Sequence, residues 1–146
     1  MRPVNDDEKK ERRMLHRSTH AGLLALALAL LMAACAAPAQ PGKAIEAYLA
    51  AIVAKDDVRA IELSCAAWEA QAKAEGEAFA TVDVTLEDAV CQTEEQSGDT
   101  AVVSCTGRIL FSYDGGETET LDLEGRLFET VLEGGEWRMC GYHQGE

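Results

Sequence analysis

The sequence predicts an α+β domain, with helices first and an antiparallel sheet after them. Two observations predict it. Apolar residues recur at helical spacing between Ile45 and Ala74, and from Val82 to Tyr142 they alternate with polar ones. The alternating segments are joined by the short glycine-containing links SGD, DGG and EGG. Such links supply the φ > 0 residues of tight hairpins, so consecutive strands become antiparallel neighbours. Runs of helix followed by runs of strand make an α+β arrangement.

The first helix lies in KAIEAYLAAIVAKDD, where Ile45, Tyr48, Leu49, Ile52 and Val53 form one apolar face. Asp56-Asp57 interrupts it and caps a second helix, because a carboxylate there accepts free backbone N–H groups. Val58, Ile61, Cys65 and Trp68 line one side of that helix, which runs on through Ala74 and stops near Gly76. Four strands follow. Val82, Val84 and Leu86 share a face of the first, and Val103, Cys105, Ile109 and Phe111 a face of the second, Ala101 to Tyr113. Leu121, Leu123, Leu127 and Val131 alternate along a third, Thr118 to Leu132, and the fourth is Trp137 to Tyr142. One sheet face needs cover, and the two helices provide it.

Ahead of this domain stands a basic leader with an apolar core from Ala21 to Leu31 and then small residues, the order of a secretory signal. Met32-Ala33-Ala34-Cys35 resembles the bacterial lipobox, whose cysteine thiol receives diacylglycerol before the peptidase cuts in front of it. The resemblance implies a signal peptide over residues 1–34, lipid on Cys35 and a tether over 35–42. Its Pro38 and Pro41 suit a flexible lead better than a continuing helix. Cysteine parity points the same way. The chain has 5 cysteines. Setting Cys35 aside for lipid leaves Cys65, Cys91, Cys105 and Cys140, an even set suited to two disulfides in an oxidising compartment. The uncharged stretch from Ala21 to Ala39 is also just long enough for a retained anchor, since about 17–25 residues span a bilayer.

Residues 1–34 carry 6 of the 13 basic and 4 of the 26 acidic residues, which leaves 7 and 22, a net charge of −15 over 112 residues. Such a charge repels phosphate backbones and excludes nucleic-acid binding as the function. It also holds the folded body off anionic lipid headgroups, so membrane contact is expected through acyl chains.

The helix pair AYLAAIVAKDDVRAIEL, the long strands and the closing GEWRMCGY resemble the nuclear transport factor 2-like superfamily, and within it the small lipoproteins. The likeness covers residues 43–142. It implies a curved sheet wrapped around helices as a cone with a pocket, with residues 143–146 as a tail. The family's third helix corresponds to Ala66–Glu75 or is absent.

Four cysteines allow three pairings. If the first hairpin turns about Gly98, residues whose numbers total 196 stand opposite each other, which pairs Cys91 with Cys105. Cys105 and Cys140 would stand two strand spacings of about 4.8 Å apart, beyond disulfide reach. Cys65 then joins Cys140. Zinc, which expects close pairs such as C-x-x-C, fits poorly with cysteine gaps of 25, 13 and 34 residues.

No nucleophile with a base, phosphate loop or dinucleotide fingerprint stands out, so no cofactor, metal or catalytic residue is assigned. His143 reads as a solvated tail residue. Enzymes of the superfamily, ketosteroid isomerases and scytalone dehydratases, place Asp, Tyr or His inside the cone. By residue type alone Tyr48, Tyr113, Asp83, Asp122 and Tyr142 are candidates for such a place. Trp68, Trp137 and Phe111 read as core. The expected function is a lipid-anchored extracytoplasmic domain that binds a small apolar ligand or a protein partner. A cofactor-independent isomerase or dehydratase, and a structural accessory lipoprotein of the envelope, are the alternatives. Asp83, Asp122 or Tyr48 deep in an open pocket beside a second polar group would put the enzyme reading ahead of binding.

Overall fold

The computed structural model describes residues 39–145, so the leader, Cys35 and most of the tether lie outside the described residues. Three helices precede five strands: α1 Pro41–Val53, α2 Asp57–Glu62, α3 Glu69–Phe79, β1 Asp83–Ser97, β2 Thr100–Ser112, β3 Thr118–Asp122, β4 Arg126–Glu133 and β5 Glu136–Gln144. The sheet is antiparallel, in the order β1-β2-β4-β5, with β3 also paired to β2. None of these helices is long and apolar enough to cross a membrane.

α1 forms where the apolar face was expected and buries it. Ile45, Tyr48, Leu49 and Ile52 are each 6% exposed or less, against Val103, Cys105, Ile109, Phe128 and Met139 of the sheet. Lys55, at φ 58°, turns the chain out of the helix as Asp56 N–H bonds back to Ala51. Asp56 Oδ1 then accepts the Arg59 N–H at 3.0 Å and starts α2.

The second helix is where the sequence misleads. It ends at Glu62, and a separate helix resumes at Glu69. Between them Leu63–Cys65 runs alongside β5. Cys65 N–H donates to the Met139 carbonyl and Met139 N–H to that of Leu63, both at 2.8 Å. The Cys65–Cys140 disulfide, with Cα atoms 5.2 Å apart, sits on this extra edge. Backbone pairing with β5 outcompetes helix continuation here. Val58, expected on the inner face, is 71% exposed. Gly76 does not stop the helix. It lets α3 cross α2 closely, since a Cβ there would lie 2.1 Å from Asp57 Oδ1.

A single third strand was also expected, and the chain splits it at Leu123–Gly125 into β3 and β4. β3 pairs with β2 as Leu121 opposite Ile109, and β4 as Phe128 opposite Val103, one residue out of step with β3. A one-residue slip reverses which face each side chain takes. Phe128 and Thr130 therefore point inward at 3% and 1% exposure, and Leu127 and Val131, expected inside, alternate with them on the other face.

β1 and β2 meet at a two-residue Gly98-Asp99 turn, Ser97 opposite Thr100. An irregularity between Thr93 and Glu95 then shifts the register, so that Cys91 stands opposite Cys105. These two are bonded, with Cα atoms 4.1 Å apart, inside the core. Glu46 ties α1 to the same point, its Oε1 accepting the Cys91 N–H at 3.0 Å. Its carboxyl is held below the usual carboxylate range, chiefly by the hydrogen bond from Lys43. Two disulfides in so small a domain point to an oxidising, extracytoplasmic setting.

Candidate functional site

The helices and the concave side of the sheet enclose a cavity of about 150 Å³. α1 contributes Tyr48, Leu49 and Ile52, and α3 contributes Glu75 and Phe79. Ile109, Phe111, Leu121, Leu123 and Phe128 come from the sheet and the β3–β4 bend, with Arg126 and Tyr142 completing the wall. The lining is apolar except for four residues, Tyr48, Glu75, Arg126 and Tyr142.

Those four form one connected group. The Tyr48 hydroxyl, 2% exposed as a residue, donates to Glu75 Oε2 at 2.6 Å and accepts from the Trp68 indole N–H at 3.2 Å. Both of its hydrogen-bonding roles are thus taken within the protein. Burial first, and then the bond to the Glu75 carboxylate, push the Tyr48 phenol far above its ordinary pKa. Glu75 Oε1 is buried and has no partner among the described residues. A buried carboxylate oxygen without a donor is costly unless a guest or a water supplies one. Tyr142 stacks edge-on against Trp68, with ring centroids 5.6 Å apart. Burial, the Glu75 charge and the approach of its hydroxyl to the Glu75 carboxylate raise its phenol as well, though the hydroxyl makes no hydrogen bond to Oε1. Arg126 lies over the Tyr142 ring at 5.8 Å, and its Nε donates to the Asp122 carbonyl at 3.4 Å. Tyr142 is 40% exposed, which marks the side where the cavity meets solvent.

Two of the candidates named by type line this cavity, Tyr48 and Tyr142. The others do not. Asp83 is exposed at the start of β1, and Asp122 is exposed at the end of β3. The Tyr113 hydroxyl donates to Glu119 at 3.1 Å on the surface. His143 belongs to β5, which runs on to Gln144, and its Nδ1 lies 3.4 Å from exposed Glu129. Trp137 packs in a small second cluster with Ala44 and Ala101. Among the described residues no cluster of His, Cys, Asp or Glu is placed to hold a metal.

Glu75 went unnoticed in the sequence. It is one of 26 acidic residues, in an alanine-rich stretch that gives it no distinguishing neighbour. Tyr142 reaches the cavity because the register slips between Glu129 and Thr130. With Trp137 and Met139 facing inward, plain alternation would have turned Tyr142 outward.

No family model and no curated protein matches the sequence. Solved structures do match by shape. An NTF2-like superfamily protein from Salmonella enterica serovar Typhimurium superposes with a TM-score of 0.56 at 17% identity, over 72% of this chain and 88% of that one. A candidate dehydratase of the NTF2-like family from Streptomyces avermitilis gives 0.51 at 16% identity, over 71% and 91%. A SEC-C motif containing protein from Rhodopseudomonas palustris gives 0.50 at 13% identity, over 71% and 77%. At these identities the likeness speaks for the fold alone. N-terminal helices packed on a five-stranded antiparallel sheet give this chain the NTF2-like fold.

Proposed function

We propose that this chain is a lipid-anchored extracytoplasmic domain whose cavity binds a small, largely apolar guest carrying one hydrogen-bond donor. The observation that carries the reading is Glu75 Oε1, buried and unpartnered among the described residues, in a wall otherwise built from aliphatic and aromatic side chains. Apolar contact supplies affinity in such a site, and the lone acceptor fixes the guest's orientation. A volume of about 150 Å³ suits a guest the size of a single aromatic ring. An accessory role through the surface alone would need no such cavity.

The test uses phenol and toluene, ring-sized probes with and without a donor, titrated by NMR into the oxidised protein. Phenol is expected to bind about tenfold more tightly, from one hydrogen bond to a charged acceptor. Glu75→Gln presents an amide N–H₂ to the guest and is expected to reverse the preference towards an acceptor such as benzaldehyde. Equal affinity for phenol and toluene in the wild type sinks the reading.

Catalysis is the second reading. Tyr48 deep in the cavity beside Glu75 meets the condition set out above for placing the enzyme ahead of binding, and Glu75 would serve as general base. Binding is favoured because enolisation also needs a donor aimed at the developing oxyanion. The Tyr48 O–H is committed to Glu75, and Arg126 lies over the Tyr142 ring with its Nε on the Asp122 carbonyl, so its terminal N–H groups are the donors an oxyanion would have to recruit. Deuterium uptake from heavy water by a bound small ketone, abolished in Glu75→Gln, would reverse this ranking.

The anchor has its own test. Metabolic labelling with a fatty acid, followed by mass spectrometry of the N-terminal peptide, is expected to find lipid on Cys35. Cys35→Ala should lose the label. Unmodified protein that still carries residues 1–34 would refute the anchor.

A further inference from the structure

A second cleft, of about 320 Å³, lies where the tether enters the domain and is lined by Ala39, Lys43, Ala44, Arg59, Glu62 and Arg138, among others. Three of the 7 basic residues that follow residue 34 meet there, in a chain segment that carries 22 acidic ones. We infer that this cleft seats the phosphate of a phospholipid headgroup and is the surface the domain turns to its membrane.

The inference rests on the lipid-anchor reading, because that reading sets the distance. Cys35 precedes Ala39 by four residues, and four extended residues span at most about 14 Å. A cleft lined by Ala39 therefore stays close to any bilayer that holds Cys35. The charges are arranged for the task. Lys43 Nζ lies 2.6 Å from Glu46, Arg59 3.2 Å from Glu62, and Arg138 3.2 Å from Glu136. Most of these side chains are well exposed, so the pairs hold little energy and exchange readily with another anion. Lys43 and Arg59 keep further donors free for phosphate oxygens. Arg138 Nε is buried without a partner among the described residues, and its guanidinium also donates to the Glu62 carbonyl. α1 starts here too, with no acidic residue in its first turn and no side-chain cap from Gln40, so its positive end adds to the field. Repulsion between headgroups and the carboxylates elsewhere turns the remaining surface away, which leaves this end as the one tolerated at the bilayer.

The full lipidated chain supplies the experiment, with its lysines as internal standards. It is reconstituted in vesicles of phosphatidylcholine and anionic phosphatidylglycerol and, separately, in dodecyl maltoside micelles, which carry no phosphate. Lysines are acylated briefly and quantified by mass spectrometry. In vesicles Lys43 is expected to react about fivefold more slowly relative to Lys55 and Lys73, the effect of about 1 kcal/mol per cation at the surface. That protection should vanish in maltoside and weaken in Arg59→Gln. Uniform labelling in vesicles, or equal protection of all three lysines, overturns the inference. Protection of Lys43 in maltoside as well overturns the phosphate seat, since a steric shadow then explains it. Absence of lipid on the N-terminal peptide is read from the same spectra and overturns the anchor itself.

Discussion

Replacing Cys65 and Cys140 together by alanine is expected to cost about 4.5 kcal/mol, and replacing Cys91 and Cys105 together about 3 kcal/mol. The difference follows from the loops. The first bond closes 75 residues and the second 14, and a longer loop removes more entropy from the unfolded chain. The first bond also fixes Leu63–Cys65 against β5, beside the turn that leads to Trp68 and the Tyr48 hydroxyl. Its loss lowers the melting temperature by roughly 20 °C for a domain of this size. It should also loosen the Trp68–Tyr48–Glu75 group, read as a change in tryptophan fluorescence before global unfolding. Thermal melts of the two double mutants check the order. A greater loss from the Cys91–Cys105 pair would show that the loop argument does not govern this fold.

Gly107→Ala carries the second large effect, about 3 kcal/mol or more, from backbone strain and overpacking acting together. Gly107 sits at φ +96°, and a Cβ there would lie 2.5 Å from the Glu87 carbonyl oxygen and 2.6 Å from that of Asp88. Both are backbone atoms of β1, so no side-chain rotation relieves the contact. They belong to the irregularity between Glu87 and Val90, which bends β1 and β2 together. Beyond that bend lie Ile109 and Phe111, two walls of the cavity, and the Gly107 carbonyl itself accepts the N–H of Leu123, a third. Gly98→Ala is the control, with φ +59° and open space around it, and should cost about 1 kcal/mol. Denaturant unfolding of both variants measures the contrast. Equal costs would mean that the close approach of β1 to Gly107 is absent.

The class of fold, the inner face of α1 and the strand faces of β2 were legible in the sequence. Periodicity reports burial directly, and each of these segments holds a single period along its length. The Cys91–Cys105 register shows how close a sequence argument comes. Pure turn geometry about Gly98-Asp99 places Ser97 opposite Thr100, which is half a step from the centre assumed in the sequence. The irregularity near Glu94 restores the register that brings the two cysteines face to face.

Tertiary structure alone decided the cavity. Glu75 acquires its place because α3 begins at Glu69, after the chain has left helix to pair with β5, and continues past Gly76 to Phe79. Tyr142 and Phe128 turn inward because of single-residue slips in β4 and β5. Such a slip changes no residue type and leaves no trace in composition, yet it reverses the face of every side chain beyond it. The hydrophobic pattern specified which segments are buried. Which polar groups meet inside them was set by where the backbone breaks step, and that depends on pairing between segments far apart in the chain.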